Sequence, residues 1–293
     1  MKGMILAAGG GTRLRPMTDY VRKPLLPVYD KPMLYYPLVT LMEAGIRQIV
    51  VVCTPQDHET LVEVMGDGSE WGIECQFVEQ KEPKGPVDAI ECGRHVIDDQ
   101  PFSLVFGDNI FLCNQSAKSL SDAGQKSHGA AVFAKHVDDP GRFGVVAFDE
   151  STHEVLSIEE KPDHPRSSFA AVGLYHFDAT AYDRMSDIQI GRSGEREIVD
   201  LLVSYLNDKQ LTCHTMTEDS TWLDAGLFDT LYEASSTIKA QQSSHNTLIG
   251  SPELTAYMQG WITDTQLERL AQRCHKNFYG QFLLSKLLPT RSH

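Results

Sequence analysis

Met4-Ile5-Leu6-Ala7-Ala8-Gly9-Gly10-Gly11-Thr12-Arg13-Leu14 is the stretch that decides the fold. A short apolar run that stops on three glycines reads as a buried strand followed by a tight turn. Glycines at that place let the backbone approach a phosphate chain and aim its N–H groups at the oxygens. Arg13 adds a forked, permanently charged cation to the same loop. A strand-to-helix turn with no ligand would use the same glycines. Two common phosphate loops do not match: Leu14 stands where the dinucleotide pattern needs its third glycine, and no G-K-[ST] occurs. A nucleotide site of another kind remains.

Outward from this loop, apolar runs alternate with stretches of helical period. Residues 4–8, 46–53, 73–78 and 102–106 read as strands, and 33–44, 56–65 and 87–97 as helices. That rhythm predicts a parallel sheet with helices on both faces. After about residue 128 strands dominate, at 129–136, 144–148, 155–160 and 169–177, and predict a second sub-sheet beside the first. A helix at 195–207 and a strand at 211–216 follow, and from residue 227 the pattern is helical.

The chain has 293 residues with 41% apolar content, enough for one full core. Forty acidic residues against 26 basic ones give a formal charge of −14 and no basic run, which argues against a nucleic-acid partner. Positive charge for a phosphate substrate must therefore be local. The six cysteines are scattered without a C-x-x-C pair and read as free thiols. Histidine spacing suggests no zinc site. With no signal-like leader and no apolar run of membrane-spanning length, a cytoplasmic protein is expected.

The loop continues as G-G-G-T-R-L-x-P-x-T, then Lys23 and Leu25-Leu26-Pro27-Val28-Tyr29-Asp30-Lys31-Pro32-Met33. Together with Tyr35-Tyr36-Pro37-Leu38, Thr54-Pro55-Gln56-Asp57, Gly66-Asp67-Gly68-Ser69 and Tyr279-Gly280-Gln281, it resembles the sugar nucleotidylyltransferases over almost the whole chain. Within that family the bacterial glucose-1-phosphate thymidylyltransferases match best. The resemblance implies an α/β fold: a Rossmann-like, mixed but mostly parallel sheet flanked by helices, with a small second sub-sheet and a C-terminal helical appendage. It implies a catalytic domain at 1–242 and a helical subdomain for assembly or regulation at 243–293. A homo-oligomer, tetramer or dimer, is expected.

The chemistry implied joins a sugar-1-phosphate, α-D-glucose-1-phosphate being expected, to dTTP with release of pyrophosphate. Two polyanions must then be brought together in line, which calls for a divalent cation and for fixed positive charge on both phosphates. By resemblance Asp108, at the end of a strand, and Asp224, in Trp222-Leu223-Asp224-Ala225-Gly226, share Mg²⁺. Alone, either would read as a turn former. Leu6, Ala8, Gly9, Gly10, Gly11, Thr12, Arg13, Gln80, Gly85 and Asp108 are implied at the nucleotide, with the Gln80 amide reading the pyrimidine edge. Phe143, Gly144, Glu160, Lys161, Val172 and Glu197 are implied at the sugar phosphate. Arg13, Lys23 and Lys161 carry the catalytic charge. No D-x-D occurs, which weighs against sugar transfer to an acceptor.

Departures from the family fall on the site itself. Pro86 and Asp88 replace Leu and Gln beside Gly85. Phe143 replaces Tyr and Val172 replaces Thr, removing two hydroxyls expected to face the sugar. Ser193 replaces an arginine that Arg192 could supply. At the family's second, regulatory nucleotide site, the segment Phe111-Leu112-Cys113-Asn114-Gln115, Leu248 and Asp219-Ser220-Thr221 are altered, so product feedback is expected to be weak or absent. Two alternatives stay open: the same chemistry with another sugar phosphate or UTP, and a catalytically silent paralogue that binds nucleotide sugars.

Overall fold

A computed structural model describes residues 1–112, 114–125, 128–149, 151–152, 154–191 and 194–287. The first half alternates as read. Strand β1 (Lys2–Leu6) leads through the glycine loop to a short hairpin, β2 (Pro27–Val28) and β3 (Lys31–Pro32), and then to α1 (Tyr35–Glu43). Next come β4 (Gln48–Cys53), α2 (Pro55–Met65), β5 (Glu74–Glu79), α3 (Pro86–Cys92), α4 (Arg94–Ile97) and β6 (Phe102–Phe106). Thr54 starts α2 by accepting from the Asp57 N–H, with Pro55 in the first turn. The single helix expected at 87–97 is two, broken at Gly93, where a Cβ would lie 2.5 Å from Met4 Cε. Having no Cβ, Gly93 lets this turn pack closely onto β1.

The second half supplies β7 (Asn109–Phe111), α5 (Asn114–Ala123), β8 (Ala130–His136), β9 (Gly144–Phe148), β10 (Val155–Glu160) and β11 (Phe169–Phe177). Then follow α6 (Ala181–Met185), α7 (Ile198–Asn207), β12 (Leu211–Thr215) and β13 (Trp222–Asp224). Four helices end the described chain: α8 (Phe228–His245), α9 (Pro252–Met258), α10 (Asp264–Gln272) and α11 (Phe278–Ser285).

Nine strands form one sheet in the order β10-β9-β11-β6-β1-β4-β5, with β8 and β12 branching from β11. β1 pairs in parallel with β4 and β6, and β4 with β5. The strands after residue 128 extend this same sheet: β11 lies antiparallel to β6, with Leu174 opposite Val105. Small separate sheets are made instead by β2–β3 and β13–β7, short strands that carry little periodic signal.

Alternation fixes which residues face which layer. Ile5, Ile49 and Val51 pack under α1, α2 and α5, whereas Met4, Val50 and Val52 pack against α3, α6 and α7. The first of these cores runs on without a break into Ala256, Leu267, Leu270 and Leu283 of the C-terminal helices.

A buried polar clasp reinforces that junction. Lys31 is 4% exposed, and its ammonium pairs with Asp30, donates to Gln242 Oε1 at 3.1 Å and lies 5.2 Å from the Tyr279 ring centre. Gln242 returns a bond to Asp30 Oδ2 at 3.1 Å and accepts from the Ile249 N–H at 2.9 Å. Burial lowers the Lys31 pKa, and Asp30 works against that shift. Lys31→Met therefore strands Asp30 and part of Gln242. Because Asp30 keeps a quarter of its side chain exposed, the expected loss is about 2 kcal/mol, below the range for fully buried pairs. Urea unfolding measures it; an unchanged midpoint would mean that the clasp does not hold the helices.

Candidate active site

The parallel strands β1, β4 and β6 end together, and a cavity of about 310 Å³ opens at their C-terminal edge. Leu6, Ala8, Gly9, Gly10, Arg13, Lys23, Gln80, Gly85 and Asp108 line it, so most of the residues expected at a nucleotide meet here. Gly11 and Thr12 form the turn beside it. A Cβ on Gly9 or Gly10 would meet nothing within 4 Å, so packing does not require these two glycines. Gly11 is different. Its φ is +62°, and a Cβ would sit 2.7 Å from Thr18 Cγ2 and 3.2 Å from Lys23 Cβ. Only glycine lets this turn close onto the segment that carries Lys23.

Lys23 Nζ donates to Asp108 Oδ2 at 2.5 Å. Burial opposes the charge on Asp108, yet the Lys23 ammonium and nearby Arg13 hold its pKa below the usual carboxylate value. The β13–β7 ribbon sets Asp224 beside it: Asp224 pairs with Asn109, and the Ala225 N–H donates to the Asp108 carbonyl at 2.9 Å. Asp224 shifts the other way. Burial, and then the charge of Asp108, raise its pKa against the pull of Lys23 and Arg13. Arg13 reaches this corner because Gly226 has no side chain; a Cβ there would lie 3.1 Å from Arg13 Nη2.

The residues expected at a sugar phosphate lie on the neighbouring antiparallel strands. Glu160 pairs with Gly144 across β10–β9, and a Cβ on Gly144 would stand 3.5 Å from Glu160 Oε2. Lys161 holds Glu160 Oε1 at 2.6 Å, with its backbone at φ +43°. Partial burial works against its charge, but Glu160 and Glu197 keep its pKa above the usual lysine value. Phe143 packs edge-on against Trp222, 5.2 Å between ring centres, beside a second cavity of about 190 Å³ that Asp224 also lines.

Val172 is the exception. It is 0% exposed and belongs to the core beneath α1 and α5, so it does not face the sugar strands. The missing threonine hydroxyl is thus a core substitution, and only the Phe143 change remains on the wall. Arg192, Ser193 and Cys113 lie outside the described residues. Leu112 and Leu248, altered at the expected regulatory site, line a separate cavity of about 810 Å³ between α1, α5, α8 and α9.

Three residues without an assigned role complete the site. Trp222 Nε1 donates to Asn109 Oδ1 at 2.6 Å, and Asn109 Nδ2 donates to Asp108 Oδ1 at 3.0 Å. Gly173, at φ +65°, makes room for that amide; a Cβ would fall 2.9 Å from Asn109 Nδ2. The available signals are the asparagine directly after Asp108 and the tryptophan two residues before Asp224, the latter in the quoted Trp222–Gly226 motif.

The electrostatic conflict at Asp224 has a measurable cost. A raised pKa means that its stabilising contribution is complete below the ordinary carboxylate value and lost as pH rises through the folded value. Asp224→Asn keeps an oxygen for the Gly226 N–H, which now bonds Asp224 Oδ1 at 3.1 Å. With a chelator present near neutral pH, this variant is expected to melt about 2 °C higher, the response to ~1 kcal/mol. A lower melting temperature would contradict the assigned repulsion.

Residues 2–241 match the family model described as Nucleotidyl transferase. A glucose-1-phosphate thymidylyltransferase of Neisseria meningitidis is 44% identical over 98% of this chain and 99% of its own. Those of Xanthomonas campestris and Mycobacterium tuberculosis are 43% and 39% identical, over 96% and 98% of this chain and 95% and 99% of theirs. Among solved structures, a Bacillus anthracis protein assigned as a glucose-1-phosphate thymidylyltransferase and crystallised with sucrose superposes with a TM-score of 0.74. It is 32% identical, and the match covers 81% of this chain and 94% of that one. A UDP-glucose pyrophosphorylase in complex with UDP-glucose has a TM-score of 0.72 at 24% identity, over 82% of this chain and 98% of that one, and shares the fold. With four-fifths of its length in the family model and this strand-end site, the chain is a member of the nucleotidyl transferase family.

Proposed function

We propose that this protein joins α-D-glucose-1-phosphate to dTTP, giving dTDP-glucose and pyrophosphate. The observation that carries the reading is the convergence of Arg13, Lys23 and Asp108 on one cavity beside a glycine loop, with Asp224 held next to Asp108 by the β13–β7 ribbon. The named relatives support the choice of substrates.

A phosphate oxygen of the sugar phosphate attacks the α-phosphorus of the triphosphate, and the bond to the β-phosphate breaks. The attacking oxygen is already anionic, so no general base is needed. What the protein must supply is charge and alignment. Lys161 holds the sugar phosphate, with Glu160 and Glu197 towards the hydroxyls. Arg13 and Lys23 neutralise the triphosphate and steady the charge that builds on pyrophosphate. Glu197 precedes the first turn of α7 in extended backbone, so it is aimed by the helix start.

Mg²⁺ fits the donor chemistry. Asp108 and Asp224 offer hard oxygen ligands, and burial, followed by the charge of Asp108, raises the Asp224 pKa. Among the described residues no group of three or more candidate ligands surrounds them, which suits an ion that completes its shell with substrate oxygens and water. Asp108 and Asp224 would hold it, and it would supply neutralisation of the reacting phosphates.

A pyrophosphate-release assay over several triphosphates and sugar phosphates tests the reading. Turnover is expected to be best with dTTP and glucose-1-phosphate, and to fall about 10²-fold or more in Asp224→Asn. Best turnover with another pair would change the substrates. None with any pair, or near-normal rates in Asp224→Asn, would overturn the reading.

A further inference from the structure

Asp88 has no place in the mechanism above, yet among the described residues it touches the one side-chain amide that lines the cavity. Gln80 is 7% exposed, and its Nε2 donates twice, to Asp88 Oδ2 at 2.9 Å and to the Gly85 carbonyl at 3.1 Å. Both partners are acceptors only, provided that Asp88 is ionised. The amide is therefore locked. Turning it over would set Oε1 against two oxygens, with both donors lost. Among the described residues Oε1 has no protein donor, and it is not sealed in the core, so it opens onto the cavity that Gln80 lines. Leu6, Pro86, Ala89 and Phe106 line the same cavity, an apolar setting for a flat ring.

We propose that Asp88 is a specificity-determining positioning residue: it fixes the Gln80 amide with its acceptor outward and so selects a nucleobase that presents a ring N–H. Thymine and uracil carry that N–H between two carbonyls. Cytosine has a lone pair at the same ring position, which would face Oε1 acceptor to acceptor. A site built around one hydrogen-bonding polarity rejects the reversed pattern strongly, because the mismatch leaves a buried group unpaired. Asp88 thus supports base reading, although a carboxylate at this position departs from the family pattern. The inference rests on the nucleotide of the proposed reaction lying in this cavity.

Asp88→Asn tests it, since an asparagine amide can accept from Gln80 or donate to it and so removes one of the two contacts that fix the orientation, leaving only the Gly85 carbonyl. Calorimetric titration with dTTP and with dCTP, sugar phosphate omitted, reads the base preference without turnover. Wild type is expected to favour dTTP by about 10-fold or more, and Asp88→Asn to bring the two affinities within about threefold. Gln80→Leu, which removes the reader, is expected to level them as well. A merely structural role would weaken both nucleotides alike and leave the ratio unchanged. That outcome overturns the proposal, as does a wild type that binds both equally or prefers dCTP. Melting temperatures confirm that each variant is folded. If base preference collapses as expected while no triphosphate releases pyrophosphate, this inference stands and the proposed reaction falls.

Discussion

The ion pair between Lys23 and Asp108 is the constraint on which the rest of the site depends. Two mostly buried carboxylates, Asp108 and Asp224, stand side by side at the end of the sheet, and burial alone would drive protons onto both. Lys23 reaches Asp108 at 2.5 Å and keeps it ionised, while Asp224 is left with the unfavourable share of the repulsion. The chain between β1 and α1 makes this possible. Its glycine turn closes on Lys23, and its hairpin is clasped through Lys31 to α8 and to the tyrosine of α11. A molecule with a net charge of −14 needs such local cation placement before it can gather phosphates.

Much of this was legible in the sequence because it is local. Residues 49–53 are apolar on both faces, and the strand is covered on both. The glycines, Arg13 and Lys23 lie within 15 positions of one another, so one motif contains their geometry. The β13–β7 ribbon was not legible. It is three residues on each side, and its partners are 113 positions apart at the Trp222–Asn109 bond, so no periodicity signals it.

Val172 shows a second kind of failure. Alternation along β11 holds: Val172 and Leu174 share the face beneath α1 and α5, and Ala171, Tyr175 and Phe177 share the opposite one. Both faces of this strand are covered, so a motif match alone could not tell that the valine goes to the core. Asp88 failed for a different reason. Its meaning depends on which end of the Gln80 amide it touches, and residue identity cannot report that. Arg13, Lys23 and Asp108, by contrast, sit in motifs that the fold brings to one cavity.

The site thus divides into a charge frame of Arg13, Lys23, Asp108 and Asp224 and a wall around Gln80, Asp88 and Phe143. In the proposed reaction the frame acts at the α-phosphorus of a nucleoside triphosphate. The most direct test follows radiolabel from dTTP labelled at the α- or the γ-phosphate in the presence of glucose-1-phosphate and Mg²⁺. The account predicts α-label in the nucleotide sugar and γ-label in pyrophosphate. γ-Label on the sugar, or released as orthophosphate, would contradict it.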